Sequence, residues 1–349
     1  MRLDEPAWWY GVGHRLAPRL LQPIGAIWGG IATRAYERAT AYRSRLPVIC
    51  IGNFTAGGTG KTPLAMHVAG ELHRLGRTSA FLTRGYGGRL TGPHWVDQAA
   101  DTAADVGDEP LLLAPLAPTL VSRDRAAGAK AIETGDPPAD VIIMDDGLQN
   151  PALSKDLVLA VVDGRRGLGN GRVIPAGPLR APLDFQFRLA DAIVVNEPQE
   201  SAVGPAATAD WLRQRFPGPV LTASVQPAEP VSWLENVDVV AFAGTGAPQR
   251  LFDLLRRCGA NVVHAVPFPD HHPFSESDAD KLLTLASAGS AVLVTTEKDL
   301  ARMAGSAGRV GHLRAMSRVL PIAMVFGERD AERLKALLEV AVKPKPGAA

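Results

Sequence analysis

Residues 48–63 read VICIGNFTAGGTGKTP, an apolar, β-branched run that breaks into closely spaced glycines and ends on Gly60, Lys61 and Thr62. A buried strand delivers the chain to a turn in which glycines permit positive φ, so successive backbone N–H groups point inward at a phosphate. Lys61 then reaches the β- and γ-phosphate oxygens and the Thr62 hydroxyl ligates Mg²⁺, while the helix that follows turns its positive end toward the anion. Thr55, Ala56, Gly57, Gly58, Thr59, Gly60, Lys61 and Thr62 are therefore the residues expected to bind a nucleoside triphosphate. One position departs from the pattern: the usual spacing places a glycine five residues before Gly60, where this chain has Thr55. Gly57 and Gly58 keep the turn permissive, and Leu64, Val68, Leu72 and Leu75 mark one apolar helical face that Gly76 is placed to stop.

At 349 residues the chain exceeds what one core ordinarily supports, so two domains are expected. A hydrophobic content of 46% with 21% charged residues describes a folded chain. The 37 basic and 36 acidic side chains leave a net charge of +1, which gives no electrostatic case for nucleic acid as a partner. Cys50 and Cys258 are too few for a disulfide framework or a thiolate metal site, which points to a reducing compartment.

The amino-terminal part has a different character. Residues 20–33 (LLQPIGAIWGGIAT) carry no charge and lie between Trp8, Trp9, Tyr10, Arg15 and Arg19 on one side and Arg34, Arg38, Arg43 and Arg45 on the other. The run is shorter than the about 20 apolar residues needed to span a bilayer, and no small-residue cleavage site ends it. Aromatic and arginine residues flanking a short apolar helix suit the boundary between headgroups and acyl chains. A helix packed on the protein's own core is the alternative.

From Val48 onward, short β-rich runs alternate with helical stretches, the pattern of an α/β domain with a mainly parallel sheet. Strands are expected at 79–83, 141–144, 157–162 and 193–196, with residues 111–118 forming part of a helix and another helix around Trp211. A proline-rich stretch places a boundary near residue 225, after which a second α/β unit is expected with strands at 237–243, 260–266 and 291–295, closing near Val325. The division read from the chain is thus a membrane-interface segment at 1–45, a nucleotide-binding domain at 46–225 and a second domain at 226–345 that completes the cleft. The tail at 343–349 is expected to fray.

A metal-bound nucleotide needs a second acidic group at the end of a neighbouring buried strand, and Asp145 and Asp146 follow the apolar run 141–144. Arg84 in the string TRGYGG (83–88) would emerge at the carboxyl end of the sheet, where ligands of such folds collect. Asp108 and Glu109 stand just before a helical stretch, which suits either capping or catalysis. The string FPDHH (268–272) lacks the further ligands a two-histidine metal site requires, so His271 reads as a loop histidine or as the partner of a carboxylate.

Together these segments resemble the tetraacyldisaccharide 4'-kinase family of the lipid A pathway. The matching strings are GNFTAGGTGKTP (52–63), TRGYGG (83–88), VGDEP (106–110), MDDGLQ (144–149), GNGRVIPAGPLR (169–180), AFAGTGAPQR (241–250), FPDHH (268–272) and TTEKD (295–299), in family order over nearly the whole chain. The resemblance implies a P-loop NTPase-like fold, helices on both faces of its sheet, with a second smaller α/β domain and an interfacial amino-terminal helix. It implies ATP and Mg²⁺ as cofactors, and transfer of the γ-phosphate to the 4'-hydroxyl of an acylated glucosamine disaccharide 1-phosphate at the cytoplasmic face of the bacterial inner membrane. The protein would be peripheral or shallowly inserted there, without an obligate protein partner.

In residue terms the resemblance makes Asp108 the acceptor of the sugar hydroxyl proton and His271 the group that orients it. Lys61 would stabilise charge on the transferring phosphoryl group, and Thr62, Asp145 and Asp146 would hold Mg²⁺. Arg84, Tyr86, Glu109, Gln149 and Arg180 fall at positions associated with nucleotide or headgroup contacts. Two positions depart from the family pattern: Asn150, where many members carry histidine, and Ala181, where many carry glutamate. The competing reading is a nucleotide-switched ATPase that recruits partners to a membrane, but such proteins carry a signature lysine where this chain has Ala56.

Overall fold

A computed structural model of the chain describes residues 6–11, 16–197 and 205–343. Its first part runs α1 (Leu16–Arg38), β1 (Val48–Asn53), α2 (Lys61–Arg74), β2 (Ser79–Thr83), β3 (His94–Trp95), α3 (Ala103–Val106), α4 (Asp108–Leu113), β4 (Thr119–Val121), α5 (Arg125–Glu133), β5 (Val141–Asp145), β6 (Leu157–Asp163), α6 (Leu183–Leu189) and β7 (Ala192–Asn196). The remainder comprises α7 (Pro205–Arg213), β8 (Val220–Pro227), β9 (Asp238–Ala243), α8 (Gln249–Arg257), β10 (Asn261–Pro267), α9 (Glu276–Gly289), β11 (Val292–Thr295), α10 (Glu297–Arg302), α11 (Gly308–Met316), β12 (Ser317–Val319), β13 (Ile322–Phe326) and α12 (Glu328–Ala341).

These strands form two sheets, one in the order β13-β8-β7-β6-β1-β5-β2-β4-β3 and a smaller one in the order β10-β9-β11-β12. In the larger sheet only β13 and β3, at its two edges, run antiparallel to their neighbours. A parallel strand is buried on both faces, and side chains along it alternate in direction. In β1, Ile49 and Ile51 accordingly join the core under Leu64, Val68 and Leu72 of α2, while Val48 and Cys50 join the opposite core with Ala129 and Ile132 of α5. The smaller sheet repeats the arrangement, with α8 over Val239 and Ala241 and α9 over Val240 and Phe242. This is the doubly covered, mainly parallel architecture expected from the sequence.

The helical stretch expected at 111–118 instead begins at Asp108 and ends at Leu113, so both carboxylates of the string VGDEP lie in the first turn of α4. The tail beyond Lys343 lies outside the described residues.

The carboxyl-terminal limit of the second domain needs correction. Its sheet ends at Val319, and the chain then returns to the larger sheet, where β13 pairs with β8. Met324 and Phe326 of β13 and Leu334 and Leu338 of α12 belong to the same core as Ile49 and Leu64. The expected unit at 226–345 is therefore an insertion between two adjacent strands of the first sheet, and Ala228 N donates to Pro321 O (2.9 Å) where the outgoing and returning segments pass. Sequence order concealed this because β13 is a short edge strand with mixed burial, a weaker signal than an internal parallel strand.

Truncating Leu338, which is 0% exposed, should cost about 2–5 kcal/mol of stability if α12 seals the nucleotide-binding core. Urea unfolding of Leu338→Ala followed by circular dichroism measures this; a midpoint equal to that of the parent would contradict the packing described.

Candidate active site

The phosphate loop is held open by neighbours. Gly57 (φ 95°) and Gly60 (φ 107°) adopt the left-handed conformations that the turn requires, and α2 begins directly at Lys61. Asn53 Nδ2 donates to Gly57 O (3.2 Å) and Asn196 Nδ2 to Thr59 O (3.0 Å), so the ends of β1 and β7 brace the loop from below. At Gly60 a Cβ would lie 2.6 Å from Asn196 Nδ2, a second reason for glycine there. Thr55 occupies the place of the missing glycine because its backbone is not turned: it bridges Leu179 in antiparallel fashion, and Ala56 N donates to Pro178 O (2.8 Å).

At the end of β5, Asp145 and Asp146 have opposite surroundings. Asp146 sits at φ 49° and accepts two hydrogen bonds from Arg180 Nη1 (3.0 and 3.2 Å) and one from Nη2 (3.2 Å), with Lys61 Nζ 3.7 Å away. Burial pushes its carboxyl up, but the charges of Lys61 and Arg180 prevail and hold it at about 2. Asp145 is 1% exposed and neither carboxylate oxygen has a hydrogen-bond partner among the described residues. Burial, reinforced by the charges of Glu109 and Asp146, pushes it up to about 7. An orphaned buried carboxylate is a donor that a hard divalent cation takes, and such an ion would reverse the penalty on the charged form. The residues present thus fit Mg²⁺. Arg125, 2% exposed, supports the pair from beneath by donating to Asp145 O (3.1 Å) and Ser122 O (2.7 Å).

Asp108 and His271 are 163 residues apart in sequence, yet His271 Nδ1 lies 3.0 Å from Asp108 Oδ2. The ionised carboxylate accepts, so Nδ1 carries the proton. Asp108 is 3% exposed; burial pushes its carboxyl up, but the His271 hydrogen bond, the charge of Lys298 and the Arg302 guanidinium hold it well below the usual carboxylate range. His271 is itself in a left-handed conformation (φ 56°), a strained state that packing sustains at functional sites. Its ring is 5.3 Å from that of Tyr86, and its N–H donates to Gly244 O (3.0 Å).

A cavity of about 610 Å³ runs between the two sheets, lined by residues 56–62 of the phosphate loop, Arg84, Tyr86, Glu109, Asp146, Arg180, His271 and Lys298. Of the residues expected from the sequence, Thr55, Asp108, Asp145 and Gln149 do not line this cavity, and Gln149 is diverted to another task. Its Nε2 donates to Asn53 O (2.8 Å) and Gln186 Oε1 (2.6 Å), so it steadies the loop and is not among the cavity's lining residues. The sequence reading gave no role to Lys298, which pairs with Glu109 (2.7 Å), or to Asn196, Arg125 and Arg302. Lys298 lay within a matched string, TTEKD; the others carried no local signal.

A phosphate cradle on one wall of a cleft, with a charged carboxylate held by a histidine at the other, is the geometry of a phosphotransferase of the P-loop class. The chain belongs to the Tetraacyldisaccharide-1-P 4'-kinase family, whose model matches residues 17–343. It is 47% identical over 341 residues to the tetraacyldisaccharide 4'-kinase of Nitrobacter winogradskyi, covering 96% of this chain and 97% of that one. It is 46% identical over 346 residues to that of Methylobacterium nodulans, covering 99% and 98% of the two chains. The fold matches the crystal structure of LpxK from Aquifex aeolicus in complex with ATP, with a TM-score of 0.71, 25% identity, and coverage of 93% of this chain and 99% of that one.

Asp145→Asn keeps the side-chain shape and removes the buried charge. The Mg²⁺-dependent part of ATP binding is expected to weaken about tenfold or more, measured by calorimetric titration with Mg²⁺ and with EDTA. An unaltered Mg²⁺ dependence would remove Asp145 from the metal site.

Proposed function

We propose that this chain transfers the γ-phosphate of ATP to the 4'-hydroxyl of a tetraacylated glucosamine disaccharide 1-phosphate at a membrane surface. The observation that carries the reading is the Asp108–His271 pair, brought together across the cleft that the phosphate loop opens into. Backbone N–H groups of the loop and the first turn of α2 take the triphosphate, and Lys61 offsets negative charge as it shifts toward the β–γ bridging oxygen. Thr62, Asp145 and Asp146 would hold Mg²⁺, which neutralises phosphate charge when bound. Asp108 holds the sugar hydroxyl in line with the γ-phosphorus. The new O–P bond forms as the bond to the leaving ADP breaks, and the hydroxyl proton passes to Asp108. A carboxylate held so far below its usual range is a weak base, which suits a loose transition state in which proton transfer is late and positioning supplies most of the acceleration.

The membrane part of the reading rests on α1. Pro18, Gly25 and Gly29 are buried, and at Gly25 a Cβ would lie 2.6 Å from Val173 O. Leu16, Leu20, Ile24, Ile27, Trp28 and Ile31, all more than half exposed, lie on the other side at helical spacing. One face docks on the protein and an apolar face is left over, the form of a helix lying in an interface. Among the described residues no helix is long and apolar enough to cross a membrane. The switch-ATPase alternative is not favoured: the chain falls in a kinase family over residues 17–343.

Incubation with ATP, Mg²⁺ and the detergent-dispersed disaccharide 1-phosphate should give a bis-phosphorylated lipid, and Asp108→Ala should lower turnover by about 10²–10⁴-fold with ATP binding retained. No product from the parent would defeat the substrate assignment, and unimpaired Asp108→Ala would remove the proposed base. In a separate test, Ile24→Glu, Ile27→Glu and Trp28→Glu together should abolish cosedimentation with anionic phospholipid vesicles without lowering the melting temperature, since these positions are 55%, 65% and 55% exposed. Undiminished cosedimentation would exclude α1 as the membrane contact.

A further inference from the structure

Asp108 and Glu109 open α4, and their carboxylates meet two cations one helical turn apart on α10. Lys298 Nζ donates to Glu109 Oε1 (2.7 Å), and Arg302 Nη2 donates to Asp108 Oδ2 (2.5 Å). The other terminal nitrogen of Arg302 donates to Gly244 O (3.2 Å), His272 O (3.4 Å) and Asp299 Oδ1 (2.8 Å). Gly244 O is the same carbonyl that accepts the His271 N–H, and Gly244 N donates in turn to both oxygens of Asp299 (3.1 and 3.2 Å). One guanidinium, its side chain only 10% exposed, therefore touches the carboxylate of the first unit and both loops that place His271 over it.

The consequence lies in which oxygen of Asp108 is taken. Oδ2 receives both Arg302 and His271, while Oδ1 receives only the N–H of Glu109 (3.1 Å) among the described residues. Two donors on one oxygen fix the carboxylate plane more tightly than a single histidine does, because a planar guanidinium anchored at several other acceptors cannot follow a rotating carboxylate.

We propose that Arg302 is a positioning residue for the phosphoryl transfer, clamping Oδ2 of Asp108 so that Oδ1 is the oxygen presented to the sugar hydroxyl, and setting the register of His271 on the same carboxylate. The assignment rests on the reading of Asp108 as proton acceptor. It differs from a purely structural ion pair in a measurable way: Arg302 acts through Asp108, so its loss matters to catalysis only while Asp108 is present. The charged and titratable groups facing Asp108 are Arg302 and Lys298 of α10, His271 of the loop after β10, and Glu109 beside it on α4. Removing the Arg302 charge leaves the carboxylate easier to protonate, and the acid limb of the rate profile moves to higher pH.

The test is a double-mutant cycle on the full chain with ATP, Mg²⁺ and dispersed lipid acceptor. Arg302→Met is expected to lower kcat about a hundredfold with KM for ATP changed less than about twofold, since no phosphate-loop contact is altered. Arg302→Lys, which keeps a charge and one donor, should recover part of the loss, as should guanidinium ion added to Arg302→Ala. In the Asp108→Ala background Arg302→Met should add less than about a twofold further loss. Full activity of Asp108→Ala alone would overturn the reading of Asp108. An impaired Asp108→Ala combined with multiplicative losses, an unmoved acid limb, or an active Arg302→Met would overturn the role of Arg302. Should Arg302→Met fail to fold, the lysine variant and its cycle with Asp108→Ala decide the question by the same criteria.

Discussion

Four carboxylates, Asp108, Glu109, Asp145 and Asp146, gather at one site, Glu109 and Asp146 on the wall of the cavity and Asp108 and Asp145 buried, and holding that much negative charge largely out of water is the constraint under which the rest of the molecule is organised. The cations that answer it come from widely separated segments: Lys61 and Arg180 at Asp146, Lys298 at Glu109, Arg302 at Asp108, with Arg125 beneath Asp145. Asp145 has no hydrogen-bond partner on either oxygen among the described residues, and of the four it is the one whose carboxyl rises toward neutrality. The charge still uncompensated is therefore concentrated at the point where a divalent cation would sit. Protein cations answer Asp108, Glu109 and Asp146, and a nucleotide-borne metal bound as proposed would answer Asp145.

This arrangement explains the insertion of one α/β unit within another. The phosphate loop and the carboxylate pair lie at the ends of neighbouring parallel strands, where ligands of such sheets collect. His271, Lys298 and Arg302 come from the inserted unit, which leaves the first sheet after β8 and returns through β13. Because β8 and β13 are hydrogen-bonded neighbours in the same core, the inserted unit is tethered at both ends to one edge of the nucleotide-binding sheet. Its clamps on α4 then reach across the cleft, so the proposed proton acceptor Asp108 and its partner His271 belong to different units.

The loop between β6 and α6 joins the site to the amino-terminal segment. Arg172 donates to Pro18 O (3.0 Å) and Asn170 N to Trp9 O (2.7 Å), while further along Arg180 grips Asp146 and bonds the backbone of Phe54 and Thr55. The segment that seats α1 is thus continuous with the one that completes the phosphate loop. Ala181, where many family members carry glutamate, is 1% exposed at the close of this segment, and its carbonyl accepts from Gln186 (2.8 Å).

What the chain determines locally was legible in it. The phosphate loop, the acidic end of β5 and the strands β1, β2, β5, β6, β7, β9, β10 and β11 follow from neighbouring residues alone, because glycine conformations, β-branched runs and backbone N–H geometry act over a few positions. Thr55 looked like a defect and became an isolated bridge residue only once Leu179 lay beside it; Gln149 looked like a ligand contact until Gln186 and Asn53 claimed its amide. Which cation answers which carboxylate, and the return of β13 and α12 to the first core, depend on strand order and on contacts spanning more than a hundred residues, as between Asp108 and Arg302. Such pairings leave no mark on either partner's surroundings in sequence, since an arginine on an exposed helix and one buried against an acid are the same letter until the fold brings the acid near.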